Sequence, residues 1–407
     1  MTDPARLAAR RALGSGMAAL VAVMGVGRFV YTPILPEMLA EGALSLPVAG
    51  WIAAANFAGY LGGALAASRV RSRAWQVAWA RAGLAASILA LAAMALADGV
   101  GAWMAVRCVA GAASAFALVF VSAIVIERLA EAGRADRTIW LYGGVGIGIA
   151  ASALTVLATV AAGGAWRTLW AASALLATPF AVLAWRAVGE GGSREASEPV
   201  AVSTLASAPA SPASPPSPPS PPSTPAPRAY RAAVLAYGLF GLGYVIHATY
   251  LPAMVRAAGY AASSASWVWV LVGVSTLPAI AAWRVVARRY GQRAAIVGCY
   301  ALEGTTALLP MGWPDSIAVA AIAGVGLGAT MAPVSGLALP FARALDAGGG
   351  ARTIGVMTAS FGAGQIAGPV IAAYLAERTG FGGPSALACA ALLAAAAIMV
   401  PRRDAGR

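Results

Sequence analysis

The stretch GVGRFVYTPILP, residues 25–36, lies inside the first long apolar run of the chain, which begins near Leu13. It combines two glycines and two prolines with one arginine, Arg28. An arginine inside a membrane-spanning helix costs about 2.5–3.5 kcal/mol on insertion scales, and such residues usually face a bundle interior. Arg28 therefore needs a partner, a cavity or a ligand, which makes this stretch the first candidate site.

A weaker copy of this stretch, GLGYVIHATYLP, occupies residues 241–252. Two glycines and the last proline correspond between the copies at a constant offset, and Trp51 and Trp267 keep that offset without a gap. An internal repeat fixes the architecture before any other signal does. It predicts two related halves, each of which opens with a hydrophobic helix interrupted by glycine and proline.

The composition points to a membrane protein. The chain is 60% hydrophobic and 11% charged, with a mean hydropathy of +0.76, whereas soluble domains carry roughly 25% charged residues. The net charge is +13, and every basic residue is an arginine. These arginines lie mainly in short patches between apolar runs rather than on one polar face, which argues against a nucleic-acid partner.

Twelve apolar runs have about the 20 residues that a helix needs to cross a bilayer. They do not alternate as barrel strands do, and helices and closed barrels are the structures that satisfy their backbone in lipid. The sequence thus predicts an all-α integral membrane protein with twelve transmembrane helices in two pseudo-symmetric six-helix halves. The runs lie near 13–36, 47–68, 74–97, 100–128, 137–162, 165–187, 230–254, 264–286, 293–311, 314–342, 353–375 and 383–401.

The connection between the sixth and seventh runs contains SPASPPSPPSPPSTPAP. Proline and serine at this density favour an extended, solvated chain rather than a packed core. We therefore divide the chain into an N-terminal half at 1–188, a linker at 189–228 and a C-terminal half at 229–407.

The distribution of arginines predicts the orientation in the membrane. Both chain ends, the linker and every second connection are rich in arginine, whereas the alternate connections hold only Arg167, Arg256 and Arg378. The positive-inside rule then places both termini and the linker in the cytoplasm. We expect a multi-pass protein of the bacterial inner (plasma) membrane.

Soluble-enzyme chemistry has little support in the sequence. There is no GxSxG, HExxH or Walker A motif. The three cysteines and the one histidine lack metal-ligand spacing. We expect no enzyme activity, no metal and no cofactor.

Several polar residues inside the first-half runs are candidates for binding a solute. Tyr31 lies about one turn beyond Arg28, and Asn56 and Tyr60 share a face of the second run. Arg107 lies early in the fourth run, above a stripe of small residues that packing explains, although packing alone does not explain the arginine. The alternative for Arg28 is a structural role, in which it pins backbone carbonyls at helix ends.

The second-half candidates for binding a solute are Tyr244, His247 and Gln365. His247 could relay protons near neutral pH, or it could be a hydrogen-bonded packing residue. Glu303, in the ninth run, could exchange a proton during transport, or it could pair with an arginine or a hydroxyl on a neighbouring helix. His247 and Glu303 are therefore candidates for proton coupling.

Three strings, GRFVYTPILPEM, AGWIAAANFAGYLGGALAA and YGLFGLGYVIHATYLPAM, resemble the YbfB/YjiJ-type branch of the major facilitator superfamily. RCVAGAASA resembles the fourth-helix arginine motif of that superfamily, which is associated with proton coupling in antiporters. The resemblance implies that Arg107 is a further candidate for proton coupling. The resemblance implies that helices 1, 4, 7 and 10 line a central cavity and that transport proceeds by alternating access. Two positions depart from the superfamily pattern, because Ala67 and Arg288 stand where an acidic residue is usual.

Together these features predict a proton-coupled secondary active transporter for a small organic solute, either anionic or polyhydroxylated. Its partners would be that solute, the lipid bilayer and protons, and we expect a monomer. Within transport, efflux of amphiphilic compounds is an alternative. A non-transporting receptor or assembly protein built on a transporter fold is a second alternative.

Overall fold

The computed structural model describes residues 4–189, 227–346 and 350–400. Within these ranges the chain forms helices and no strand. The predicted all-α class is therefore confirmed. Most of the predicted linker, residues 190–226, lies outside the described residues.

Twelve helical segments of the described chain are long and apolar enough to cross a membrane, as the hydropathy pattern predicts. They are called span 1 to span 12. Their bounds in chain order are Arg6–Ala40, Leu46–Ala67, Arg73–Leu96, Val100–Glu131, Ala135–Ala161, Trp166–Val188, Arg228–Ala257, Ala262–Tyr290, Gln292–Gly312, Ile317–Leu345, Arg352–Thr379 and Gly382–Met399.

Span 1 is interrupted where the sequence places its glycines and prolines. An α-helix at Pro4–Leu20 continues as a π-helix at Val21–Val26, and a new α-helix begins at Tyr31. The N–H of Gly27 donates to the carbonyl of Ala22 at 2.8 Å, the longer spacing of a π-helix. Prolines near the start of the second segment remove backbone donors. The interruption leaves backbone carbonyls near Arg28 without helical partners.

The two halves repeat their closest helix contacts. A Cβ atom added to Gly111 of span 4 would lie 2.0 Å from the carbonyl oxygen of Asn56 in span 2. A Cβ atom on Gly328 of span 10 would lie 2.1 Å from the carbonyl oxygen of Val272 in span 8. Glycine permits this backbone approach in both places. Asn56 and Val272 hold equivalent positions of the repeat.

The two ends of the bundle differ, and each needs a name. The terminal face is the end at which span 1 begins and span 12 ends, and the far face is the opposite end. The halves meet along two lateral pairs, span 2 with span 11 and span 5 with span 8. At the far face, the end of span 1 also packs against span 7.

The outer surface of the spans is apolar. Leucine side chains such as Leu89, Leu96 and Leu175 are 68%, 79% and 76% exposed, respectively. Exposed apolar surface on this scale is typical of a membrane-contacting protein. The polar candidates lie in the interior.

Candidate functional site

A cavity of about 580 Å³ lies between the two halves. This volume is within the range of about 300–1,000 Å³ that is typical of small-molecule sites. Residues of both halves line it, including Asp136 and Arg288 close to the terminal face and Arg28 near the middle of span 1. The cavity therefore runs from the terminal face into the bundle.

Arg28 is the buried cation of the cavity wall. The residue is 5% exposed, and its guanidinium carbon lies 3.9 Å from the ring centroid of Tyr60 and 4.8 Å from that of Phe57. Within the described chain, its Nε and Nη2 atoms have no hydrogen-bond partner. Buried donors of this kind are costly unless something accepts from them. Arg28 thus brings a positive charge to the cavity wall, together with two buried donors that have no partner in the described chain.

Arg107 performs the backbone role that was the alternative for Arg28. Its Nη1 donates to the carbonyl of Gly27 at 3.1 Å, and its Nη2 donates to the carbonyl of Arg28 at 2.9 Å. These carbonyls belong to the interruption of span 1. Arg107 does not line the cavity. It is a positioning residue that holds the segment carrying Arg28.

Two further first-half candidates lie behind the cavity wall. The hydroxyl of Tyr31 donates to the carbonyl of Ala49 at 3.0 Å, and its ring lies under the Arg107 guanidinium. Nδ2 of Asn56 donates to the carbonyl of Arg107 at 2.9 Å. Both side chains therefore join spans of the first half, whereas Tyr60 lines the cavity.

The second half contributes an aromatic wall, formed by Tyr237, Tyr244 and Phe361, all of which line the cavity. The ring centroids of Tyr237 and Phe361 are 4.6 Å apart with an interplanar angle of 13°. The rings of Tyr244 and Phe361 are 5.6 Å apart at 3°. The three rings thus lie nearly parallel along one side of the cavity.

The two tyrosine hydroxyls of this wall form hydrogen bonds with neighbouring side chains. Nε2 of Gln365 donates to the hydroxyl of Tyr244, and the hydroxyl of Tyr237 donates to Oγ of Ser335 at 3.1 Å. All four residues line the cavity. The second half therefore offers aromatic faces whose polar edges already have partners.

The far face is closed by contacts between the halves. Oγ1 of Thr32 donates to the carbonyl of Ala248, and these two residues hold equivalent positions of the repeat. Glu37 and Arg256 form an ion pair at 3.6 Å, and Nε1 of Trp51 in span 2 donates to the hydroxyl of Tyr374 in span 11 at 3.4 Å. The structure is therefore open at the terminal face and sealed at the far face.

A sequence profile described as "Uncharacterised MFS-type transporter YbfB" matches residues 20–401. The chain belongs to this family of transporters. The resemblance predicted from the sequence and the twelve-helix fold are thus confirmed, and the protein is a multi-pass membrane transporter. The family is not one of enzymes. A comparison with curated proteins finds no match.

Two ionisable candidates of the transporter lie outside the cavity lining. His247 is 2% exposed and lies one turn from Gly243, a residue that packs against span 12. Glu303 of span 9 is 1% exposed, and the hydroxyl of Thr330 in span 10 donates to its Oε2. Nε2 of His247 and Oε1 of Glu303 have no hydrogen-bond partner in the described ranges. Glu303 thus pairs with a hydroxyl, one of the two partners considered for it.

The cavity lining also includes Arg284, Tyr237 and Phe361, which were not predicted from the sequence. Arg284 lies inside the eighth apolar run, four residues before Arg288, so both point to the same side of span 8. Tyr237 precedes Tyr244 by two helical turns, and Phe361 precedes Gln365 by about one. Helical spacing from a residue already singled out was the signal that could have found all three.

Proposed function

We propose that this transporter moves a small organic anion across the bacterial inner membrane by secondary active transport. The observation that carries the proposal is Arg28, a buried cation in the cavity wall with two nitrogen atoms that lack hydrogen-bond partners in the described chain. Organic anions such as carboxylates accept hydrogen bonds from two guanidinium nitrogens at once. Such an anion would satisfy Arg28 without the cost of a second buried charge in the protein.

Alternating access gives the cavity its role. In this mechanism two halves rock around a site near the bilayer midplane. The closed far face and open terminal face correspond to one of the two states, and the halves at 1–188 and 229–407 would be the moving units. The positive-inside rule supports a cytoplasmic terminal face, so that both termini and the linker at 189–228 lie in the cytoplasm.

Proton coupling is the second part of the proposal, with Glu303 as the group that exchanges the proton. Its carboxyl lies within a span and contacts a neutral hydroxyl of Thr330. Intramembrane carboxyls of this kind are common in proton relays. His247 is a further candidate, and Arg107 would act through the position of Arg28. Transport in proteoliposomes that ignores an imposed pH gradient would contradict proton coupling.

The anion site is tested by ligand-induced thermal stabilisation of the purified protein. A ligand that binds the native state raises the free energy of unfolding by about 2.7 kcal/mol at a hundredfold excess over Kd. We expect organic acids to stabilise the protein and Arg28→Gln to abolish that effect. Arg186→Gln removes the same charge from an exposed position outside the cavity and should leave the effect intact. Equal stabilisation of Arg28→Gln and wild type would contradict an anion site at Arg28.

The aromatic wall favours one further reading, the efflux of amphiphilic compounds. Amphiphilic solutes bury an apolar body, and the wall could accept such a body. Direction of transport separates this reading from uptake, and flux measured from each side of oriented proteoliposomes distinguishes them. The family assignment favours transport over a non-transporting receptor.

A further inference from the structure

We infer that the transported anion carries an aromatic ring, so that its class is the aryl carboxylates and related planar aromatic acids. This inference rests on the proposed function, because it assumes that an anion binds at Arg28. It separates the two solute classes that the sequence left open, anionic and polyhydroxylated. Three features of the cavity support it.

The first feature is that the two hydroxyl groups of the aromatic wall already have partners. The hydroxyl of Tyr237 is engaged by Ser335, and the hydroxyl of Tyr244 is engaged by Gln365. A polyhydroxylated solute needs many matched partners, and a site without them loses affinity for each hydroxyl that it desolvates. Sugars and sugar acids are therefore poorly matched to this wall.

The second feature is the shape of the aromatic wall. Its three rings deviate from parallel by 13° between Tyr237 and Phe361 and by 3° between Tyr244 and Phe361. A planar ring can pack against the outer faces or the edges of such a stack, in offset-stacked or edge-to-face geometry. A saturated ring or an open chain buries a similar area but lacks this interaction.

The third feature is the placement of Arg28 and the aromatic wall on opposite halves. Arg28 of span 1 and Tyr244 of span 7 hold equivalent positions of the repeat, and both line the cavity. A ligand with a carboxylate at one end and a ring at the other can contact both. Such a ligand bridges the two halves that alternating access moves. The affinity for an aryl acid would therefore depend on the relative position of the two halves.

The test compares matched ligands on the purified full-length protein. Benzoate and cyclohexanecarboxylate have the same number of carbon atoms, as do naphthoate and decahydronaphthoate. Benzamide removes the charge, and gluconate replaces the ring with hydroxyl groups. Apparent Kd values come from thermal-shift titrations of each compound. We expect each aryl acid to bind about two- to tenfold more tightly than its saturated partner, which is the size of a typical aromatic pair interaction.

A pair of variants locates the preference. Phe361→Leu keeps an apolar side chain but removes a ring from the wall, and it should bring the ratio of the two Kd values close to one. Phe116→Leu removes a ring that stacks on Trp79 outside the cavity, and it should leave the ratio unchanged. The comparison of ligands on wild-type protein remains decisive if the Phe361 variant does not fold.

The outcomes separate this inference from the proposed function. Equal affinities for aryl and saturated acids, or tighter binding of gluconate, would overturn the aromatic class while the anion site stands. An aryl preference that survives Phe361→Leu in folded protein would also overturn the assignment to this wall. Binding of benzamide as tight as that of benzoate, or anion binding that persists in Arg28→Gln, would instead overturn the anion site.

Discussion

The far face and the terminal face of the transporter use different chemistry where the two halves meet. At the far face the contacts include hydrogen bonds from Thr32 and Trp51 to acceptors of the second half, together with the ion pair of Glu37 with Arg256. At the terminal face, Asp136 of the first half and Arg288 of the second half both line the cavity. The described chain forms no ion pair between them.

This difference indicates how the protein can change state. Alternating access requires the far face to open when the terminal face closes. Neutral hydrogen bonds contribute about 0.5–1.5 kcal/mol each, so a closed face held by a few of them is separable. We expect Asp136 to approach Arg284 and Arg288 as the terminal face closes. This approach would supply opposite charges at a place where the sequence lacks the acidic residue that is usual in the superfamily.

The largest effect should come from Arg107, because it holds the interruption of span 1 that lies between the two faces. Arg107→Gln leaves the carbonyls of Gly27 and Arg28 without their guanidinium donors. Unsatisfied buried polar groups cost about 1–3 kcal/mol each, so we expect a loss of about 2–5 kcal/mol in unfolding free energy. Anion binding should weaken as well, because Arg28 loses its support. Thermal unfolding with and without ligand measures both, and an unchanged melting temperature would contradict the positioning role.

A wedge at the far face should have the next largest effect. A Cβ atom on Gly50 would lie 2.7 Å from the carbonyl oxygen of Pro369 in span 11. Gly50→Leu should therefore destabilise the closed far face by about 1–3 kcal/mol, the usual cost of overpacking. Gly62→Leu, on the same span but with no atom within 4 Å of its added Cβ, is the matched control.

Hydrogen exchange at the far ends of spans 1 and 7 measures this opening. We expect faster exchange in Gly50→Leu than in Gly62→Leu, since the wedge separates the halves there. Equal exchange in the two variants would show that the contact between spans 2 and 11 does not hold the far face closed.

The smallest effect should come from the far-face ion pair. Both partners are partly exposed, and exposed pairs contribute about 0.2–1 kcal/mol and are screened by salt. Glu37→Gln should therefore weaken far-face closure slightly at low salt. At high salt, where the ion pair is screened, the substitution should have no effect. Thr32→Val removes a neutral donor instead, so its effect on the same exchange measurement should be independent of salt. A salt-independent effect of Glu37→Gln would contradict a contribution of the ion pair to far-face closure.

The fold could be predicted because each span carries its own signal. Twelve runs of sufficient apolar length appear one after another, and the glycines and prolines of span 1 predict its interruption. The site was harder to predict, because helical spacing tells which residues share a face but not what that face meets. Asn56 and Tyr60 share a face of span 2, yet the amide of Asn56 binds the carbonyl of Arg107 and Tyr60 lines the cavity.

The two buried arginines show the same limit. Both were singled out because a charge in an apolar run needs a partner. Sequence alone did not tell which one binds backbone carbonyls, because those carbonyls belong to another helix. In the structure Arg107 reaches the interruption of span 1, and Arg28 lines the cavity with two buried nitrogens unpaired in the described chain. Only the packing of span 4 against span 1 separates the two roles.

The proposed transport of an organic anion depends on its binding to Arg28. Its most direct test is the uptake of radiolabelled benzoate into proteoliposomes that contain wild-type protein, Arg28→Gln or Arg186→Gln. Wild type and Arg186→Gln should show saturable uptake, and Arg28→Gln should lose it. Saturable uptake of equal rate by Arg28→Gln would contradict this dependence on Arg28.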